Sequence, residues 1–348
     1  VLGDIVTTTP STRPAAATRT PGSLGVAILG LGARLPEEVV TNDDLARVLE
    51  TSDEWIRTRT GIEQRHRVAA DEATSDTATA AARAALDDAG MAPEDVAMVM
   101  VATTTPDHPI ASVAPIVAAN LGIAAPALDI NAACSGFVYG LHQAAALVAT
   151  GTAPILLVGA ETLTRVVDPR DRTVAILFGD GAGAVVLGAD GAAELGPFDL
   201  GSDGSDPSSL YTEYGGTRTP VTADNVDERR HYLSMRGREI YRFAIANMTA
   251  SSERVLAAAG LTVDDVDLFI GHQANIRILT GVADKLGIPM ERAHTTVHLH
   301  GNTSAASIPL CLADARDNGR LPDGTRVLLT AFGAGLTWGS TLITWRRP

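Results

Sequence analysis

The 348-residue chain is short of several things that commonly organise a protein of this size. It has two cysteines, Cys134 and Cys311, in no CxxC pair, which excludes a disulfide framework and a cysteine-rich metal site and fits a reducing cytoplasm. Aromatic residues make up 4 % of the sequence, so its core must be packed from aliphatic side chains. Lysine occurs once, at Lys285, and the formal net charge is −14. That balance argues against nucleic acid as a general partner, while a local arginine patch could still receive an acidic protein. No apolar run approaches the ~20 residues needed to span a membrane. Residues 1–24, rich in Thr, Pro, Ala and Arg, lack the apolar segment of a signal peptide and read as a flexible extension, with folded structure expected from near Val26.

What is present is a duplication. Ala89-Gly90-Met91, followed by Asp95-Val96 and an apolar run, recurs roughly 170 residues later as Ala259-Gly260-Leu261, Asp265-Val266 and a second apolar run. Leu121-Gly122-Ile123 recurs as Leu286-Gly287-Ile288, each predicted to end a helix at its glycine. Gly151-Thr152 before Ile155–Val158 recurs as Gly324-Thr325 before Val327–Thr330. Three matches in the same order predict two similar α/β halves, residues 25–190 and 191–348, stacked into a layered core.

The chemistry-bearing residues fall at matching places in those halves. Cys134, in Asn131-Ala132-Ala133-Cys134-Ser135-Gly136, is predicted at a strand-to-helix turn, where helix-end N–H groups favour thiolate. Asn302, in His300-Gly301-Asn302-Thr303-Ser304, is expected at the equivalent turn of the second half, and His272 at a strand end on the same level. Each has a plain structural alternative: a buried apolar thiol, a turn-capping Asn, a hydrogen-bonded packing His. A pseudo-twofold axis would bring all three together as a nucleophile and two N–H donors.

Other patterns do not develop into sites. Gly30-Leu31-Gly32 meets Pro36 where a dinucleotide motif needs a third glycine and a helix, and Phe178–Gly183 runs into a strand rather than a helix. His294, His298 and His300 suggest a metal pair on a strand, but no nearby acid or thiol completes a shell, so no metal is expected. Asp168, Asp171 and Asp180 form no convincing acid–base couple.

Taken together the motifs resemble the class III β-ketoacyl-acyl carrier protein synthases of the thiolase superfamily. The resemblance runs from Val26 to Trp345 through Thr51–Ile56, Thr58–Ile62, the Cys134 turn, Phe178–Ala184, Gly271–Ile278, His300–Pro309 and Ala331–Ser340. It implies an α/β thiolase-like fold with two halves in an αβαβα arrangement, and no cofactor beyond acyl-CoA as a substrate. It also implies that Cys134 is acylated by acyl-CoA, while His272 and Asn302 promote decarboxylation of malonyl-acyl carrier protein. Ala334 would complete the oxyanion hole and Phe332 would wall the site. Thr51, Trp55, Arg59, Arg172 and Asn275 would handle CoA, with Trp55 and Arg172 flanking the adenine, and Arg242 and Arg277 would dock the carrier protein. Arg236 and Arg238 extend that basic face. Ile110 stands where fatty-acid members show Phe, a position that in the family reaches across a homodimer into the partner's acyl pocket. Its smaller side chain implies a starter longer than acetyl and a polyketide-priming role. The competing expectations are fatty-acid initiation with acetyl-CoA, acyl transfer to a hydroxyl or amine without decarboxylation, hydrolysis of the acyl-enzyme, and a non-catalytic acyl-binding protein.

Overall fold

The computed structural model describes residues 18–20, 23–189 and 194–346. The first half runs through β1 (Thr18–Thr20), β2 (Val26–Arg34), β3 (Glu38–Thr41), α1 (Asn42–Ala46), α2 (Asp53–Thr60), β4 (Gln64–Arg67), α3 (Thr74–Asp88), β5 (Met98–Ala102), α4 (Val113–Leu121), β6 (Ala127–Ile130), α5 (Gly136–Ala149), β7 (Ile155–Thr162), α6 (Arg172–Ala175) and β8 (Asp180–Ala189). The second runs through β9 (Glu194–Ser202), β10 (Leu210–Thr212), β11 (Leu233–Met235), α7 (Gly237–Ala259), β12 (Leu268–Gly271), α8 (Ile276–Leu286), α9 (Val297–His300), α10 (Ser307–Asp317), β13 (Arg326–Gly333) and β14 (Thr337–Thr344).

The duplication is a duplication of topology. One sheet has the order β2-β8-β7-β5-β6 and the other β1-β9-β14-β13-β12. Strand for strand, β2 matches β9, β8 matches β14, β7 matches β13 and β5 matches β12, with the same parallel and antiparallel pairings. The counterpart of β6 shrinks to a single parallel bridge between Phe269 and Ala293. Gly122 and Gly287, both at φ 76°, end their helices in the left-handed conformation that lets glycine stop them. β1 adds an edge strand to β9, so three residues of the stretch expected to be a free extension belong to a sheet. Residues 1–17, 21 and 22 of that stretch, and the half boundary at 190/191, lie outside the described residues.

Side-chain alternation along the strands sorts the core into layers. Leu156 and Val158 of β7 face α3 and α4 with Val99, Val101 and Val186. Ile155 and Leu157 of the same strand face α5 and α10, which lie between the sheets and meet Ile270, Val327 and Leu329 from the other side. Phe269, Leu328 and Leu342 turn outward to α7 and α8. The result is the αβαβα stack of the thiolase fold, in which α5 and α10 begin at the carboxyl ends of the parallel strands, where α/β sheets place their ligands.

Both central helices must begin close to the sheet, and glycine permits it. A Cβ on Gly159 of β7 would lie 2.4 Å from the Ala305 carbonyl oxygen, and one on Gly183 of β8 would lie 2.7 Å from Pro309 Cβ. Gly159→Ala should therefore push the Ser304–Ala306 turn away from β7. A loss of about 1–3 kcal/mol is expected, read as a lower urea midpoint with an unchanged m-value.

Candidate active site

The Cys134 turn and the Asn302 turn share one design. Residues 133–135 and 304–306 each form a single 3-10 turn leading into α5 and α10. Ala133 and Ser304 open them at φ 48°, a left-handed conformation that non-glycine residues adopt rarely and at some cost. Asn131 Oδ1 accepts the Ala133 N–H at 3.3 Å, and Asn302 Oδ1 accepts the Ser304 N–H at 2.9 Å. Asn302 is thus the structural twin of Asn131, and Ala305 the twin of Cys134. Because its Oδ1 is engaged by its own turn, Asn302 has its amide N–H groups left as donors. Its backbone is fixed by Asn302 N–H to Leu177 O at 2.8 Å and Gly179 N–H to Asn302 O at 3.0 Å.

His272 follows β12, and its N–H bonds Thr330 O at 2.8 Å. Its Nδ1 lies 2.7 Å from Ser307 Oγ, which also accepts the Gln273 N–H at 3.3 Å. That arrangement suits Ser307 O–H as donor to Nδ1, and we assign the ring proton to Nε2. Burial lowers the His272 pKa to about 3, so the ring is a neutral N–H donor at physiological pH. The Gln273 side chain clamps the neighbouring loop, accepting from Thr296 and Val297 and donating to Gly271 O.

Cys134, His272, Asn302 and Phe332 line one narrow cavity of about 160 Å³, with Phe178, Leu210, Met235, Ile240, Ala244, Met248 and Ile278 as its apolar walls. The Cys134 pKa is pushed up to about 12, first by burial and also by the Glu161 charge, with the nearby Ser304 hydroxyl acting in the opposite direction. Dehydration therefore outweighs the helix-end field expected to favour thiolate, and the resting group is a thiol. Ala334 follows Phe332 on the β13–β14 turn, which is pinned to the nucleophile turn by Thr337 Oγ1 to Ala132 O at 2.8 Å and Ser135 Oγ to Thr337 O at 3.1 Å. A Cβ on Gly333 would lie 2.6 Å from Cys134 N, so the two backbones are in contact there.

At the mouth, Arg59, Arg238, Arg242, Arg277, Tyr241 and Asn275 surround an open depression of about 540 Å³. Trp55 has the Arg59 guanidinium 4.7 Å and the Arg172 guanidinium 5.2 Å from its ring centroid, and Arg172 donates to Glu50 O at 2.6 Å. Asn275 caps α8 through its Oδ1 and donates to Arg59 O at 3.2 Å. Thr51 Oγ1 is buried without a hydrogen-bond partner among the described residues. Arg236, counted in the basic face, is instead the N-cap of α7 and pairs with Asp206.

Ile110, expected to reach a partner's pocket, lies outside this chain's own cavity and is 99 % exposed. Other expectations are displaced. His298 and His300 occupy a one-turn helix rather than a strand, and the acid thought missing near His294 is Asp314, at 2.6 Å. Cys311 is buried on α10, its thiol reaching His294 O at 3.4 Å. Three further polar residues, Ser304, Ser307 and Glu161, stand behind the site. Ser304 and Ser307 stand in the same run as Asn302, and Glu161 is the one acid in the fully buried strand β7, a signal legible in Ile155–Thr162.

The buried histidines make stability depend on acid. His272 and His300 have pKa values lowered from 6.5 to about 3 and about 4, chiefly by burial. Below pH 6.5 the unfolded chain binds protons that the folded rings refuse, so stability is full above that pH and falls as pH drops towards 4. Each ring should contribute a slope of about 1.4 kcal/mol per pH unit. Urea unfolding at stepped pH should show this slope, and His272→Gln should lessen it.

Comparison with known proteins agrees with the site. Residues 256–345 match the model for 3-oxoacyl-[acyl-carrier-protein (ACP)] synthase III C terminal, and residues 128–204 match that for 3-oxoacyl-[acyl-carrier-protein (ACP)] synthase III. The β-ketoacyl-[acyl-carrier-protein] synthase III of Nitratidesulfovibrio vulgaris is 50 % identical over 318 residues, covering 91 % of this chain and 96 % of that protein. The crystal structure of 3-oxoacyl-(acyl carrier protein) synthase III from Pseudomonas aeruginosa PAO1 superposes with a TM-score of 0.85 at 45 % identity, covering 92 % of this chain and 98 % of that one. The priming β-ketosynthase from the R1128 polyketide biosynthetic pathway superposes with a TM-score of 0.86 at 34 % identity, covering 95 % and 99 %. With a thiol, an imidazole and a carboxamide converging at the twin turns of a duplicated thiolase fold, the chain belongs to the β-ketoacyl-acyl carrier protein synthase III family, decarboxylating condensing enzymes of the acyltransferase class.

Proposed function

We propose that the protein carries out an initiating condensation, joining an acyl-CoA starter longer than acetyl to malonyl-acyl carrier protein through an acyl-Cys134 thioester. The observation that carries the reaction is the convergence of Cys134, His272 and Asn302 on one narrow apolar cavity behind an arginine-rimmed mouth. Cys134 sulfur attacks the acyl-CoA carbonyl, the carbon–sulfur bond to CoA breaks, and CoA leaves. The malonyl carboxylate then departs as CO₂, its bonding electrons forming a thioester enolate. The neutral Nε2–H of His272 and the amide of Asn302 donate to that enolate oxygen, and the enolate carbon attacks the Cys134 thioester. Two uncharged donors in a dry cavity stabilise the enolate without protonating its carbon. Backbone N–H groups of Cys134 and Ala334 would hold the tetrahedral oxyanion, and Phe332 walls the cavity beside the thiol.

For CoA, the stack of Arg59, Trp55 and Arg172 offers flat cationic and aromatic surfaces to adenine, Asn275 lies at the rim, and the Thr51 hydroxyl, which has no partner among the described residues, offers a hydrogen bond. Arg242 and Arg277 give an otherwise acidic chain a basic landing place for an acidic carrier protein. An apolar Ile110 exposed in the single chain is suited to enter the acyl cavity of a second copy in a homodimer, which supports the longer starter. The high identity to synthases of the Nitratidesulfovibrio type supports a second reading, fatty-acid initiation with acetyl-CoA.

Intact-mass measurement after incubation with acetyl- to medium-chain and branched acyl-CoAs should show Cys134 labelled by propionyl or longer groups and cleared by malonyl-acyl carrier protein with CO₂ release. Labelling by acetyl alone would give the second reading. Ile110→Phe should lower kcat/KM for the longer starters by about 10–100-fold while sparing acetyl. Arg242→Glu and Arg277→Glu should raise KM for malonyl-acyl carrier protein about tenfold at low salt and leave acyl-CoA labelling of Cys134 unchanged.

A further inference from the structure

The Asn302 turn carries a tie that its twin lacks. Glu161, next to last on β7, is 0 % exposed. Three consecutive threonines after β5 hold its carboxyl: Thr105 Oγ1 donates at 2.6 Å, Thr104 Oγ1 at 3.0 Å, Thr104 N–H at 3.1 Å and Thr103 Oγ1 at 3.3 Å. On the other side, Oε1 accepts from Ser304 Oγ at 2.9 Å. Ser304 opens the Asn302 turn at φ 48°, and its N–H donates to Asn302 Oδ1 at 2.9 Å. The Asn302 backbone is already held by Leu177 and Gly179, so what remains to be set is the torsion of its carboxamide. That torsion hangs on the Ser304 N–H, and Ser304 hangs on Glu161.

The duplicated fold supplies its own comparison. Ala133, the twin of Ser304, takes φ 48° without a hydroxyl, and Gly333 of β13 stands where β7 carries Glu161. Both ends of the tie are thus absent together beneath Asn131, which is exposed and accepts the Ala133 N–H at a longer 3.3 Å. Both are present together beneath Asn302, which lines the cavity. We propose that Ser304 and Glu161 are positioning residues that aim the Asn302 carboxamide into the cavity, Ser304 through its left-handed backbone and Glu161 through Ser304. The inference rests on the reading that the Asn302 amide donates to the malonyl-derived enolate.

The physics of the tie is that of a strained residue held by a buried bond. A left-handed backbone costs a residue with a Cβ more than it costs glycine. Leaving φ 48° would pull Ser304 Oγ from the carboxyl and strand both polar groups in the interior, which is the larger penalty. An ionised carboxyl accepts from the hydroxyl and a neutral one can also donate to it, so the tie holds in either charge state. Its effect falls on one half-reaction. Attack of Cys134 on acyl-CoA sets its oxyanion against backbone N–H groups, and Asn302 takes no part. Loss of CO₂ places charge on a thioester oxygen within reach of the Asn302 amide, where a misaimed donor stabilises little.

The two half-reactions are read separately: Cys134 acylation by acetyl-CoA and butyryl-CoA through intact mass, and release of labelled CO₂ from malonyl-acyl carrier protein by the acylated enzyme. Ser304→Ala should lower kcat for CO₂ release about 10–100-fold with little change in KM, and at least about tenfold more than it slows acylation. Ser304→Gly also lacks the hydroxyl but takes φ 48° freely, so it should release CO₂ at least about fivefold faster than Ser304→Ala. Glu161→Ala should reproduce the Ser304→Ala loss when made alone and add less than about twofold to Ser304→Gly, where the tie is already gone. A merely structural role would slow both half-reactions together, and that result would overturn the proposal. So would Ser304→Gly no faster than Ser304→Ala, or a Glu161→Ala loss of the same size in both backgrounds. Should Glu161→Ala not fold, the two Ser304 variants decide alone. If the wild type releases no CO₂, or Asn302→Ala releases it as fast as the wild type, the reading of Asn302 fails and the positioning with it. If Asn302→Ala loses the release and Ser304→Ala keeps it, the positioning alone fails.

Discussion

Two helices from opposite halves begin nose to nose between the sheets, and the tightness of that approach governs the rest of the molecule. It requires glycine at 159 and 183, where a methyl group would strike the Ser304–Ala306 turn and the first turn of α10 respectively. It also requires Ala133 and Ser304 to hold a left-handed conformation that each Asn side chain then ties down. The cost of those two backbone positions is of order 1–3 kcal/mol each, offset by the aliphatic core on both sides of the central layer. In return, side chains separated by more than half the chain meet at one cavity.

Burial then decides the chemistry. The same exclusion of water that keeps His272 an uncharged donor also withholds ionisation from Cys134, so the site cannot rest on a preformed thiolate–imidazolium pair. Positive charge is kept to the mouth, in arginines on α2, α7 and α8, and the walls behind it are apolar. Charged substrates are met at the rim, and the interior works with neutral groups.

Much of this was legible in the sequence because the physics involved is local or repeated. The Gly122 and Gly287 stops, the buried run Ile155–Val158 and the recurring motifs gave the two halves, and symmetry between them brought Cys134, His272 and Asn302 together. What stayed hidden depends on distance in space. Ser304 and Glu161 lie 143 positions apart, and nothing in either local pattern tells that they touch. Dehydration of the thiol likewise cannot be read from a helix start, which carries the field but not the burial. Ile110 shows a further limit: nothing in its local pattern tells that the chain leaves this apolar side chain fully exposed.

The twin turns also imply that the halves cannot be interchangeable. Ala305 occupies the place that Cys134 holds in the other half, Gly333 of β13 stands where β7 carries Glu161, and His272 stands where β5 carries Ala102. A chain whose halves matched at these places would face two thiols against each other, an invitation to oxidation, or would have no nucleophile at all. The backbone repeats while the side chains divide the labour, so each half is an incomplete enzyme whose missing parts are carried by the other.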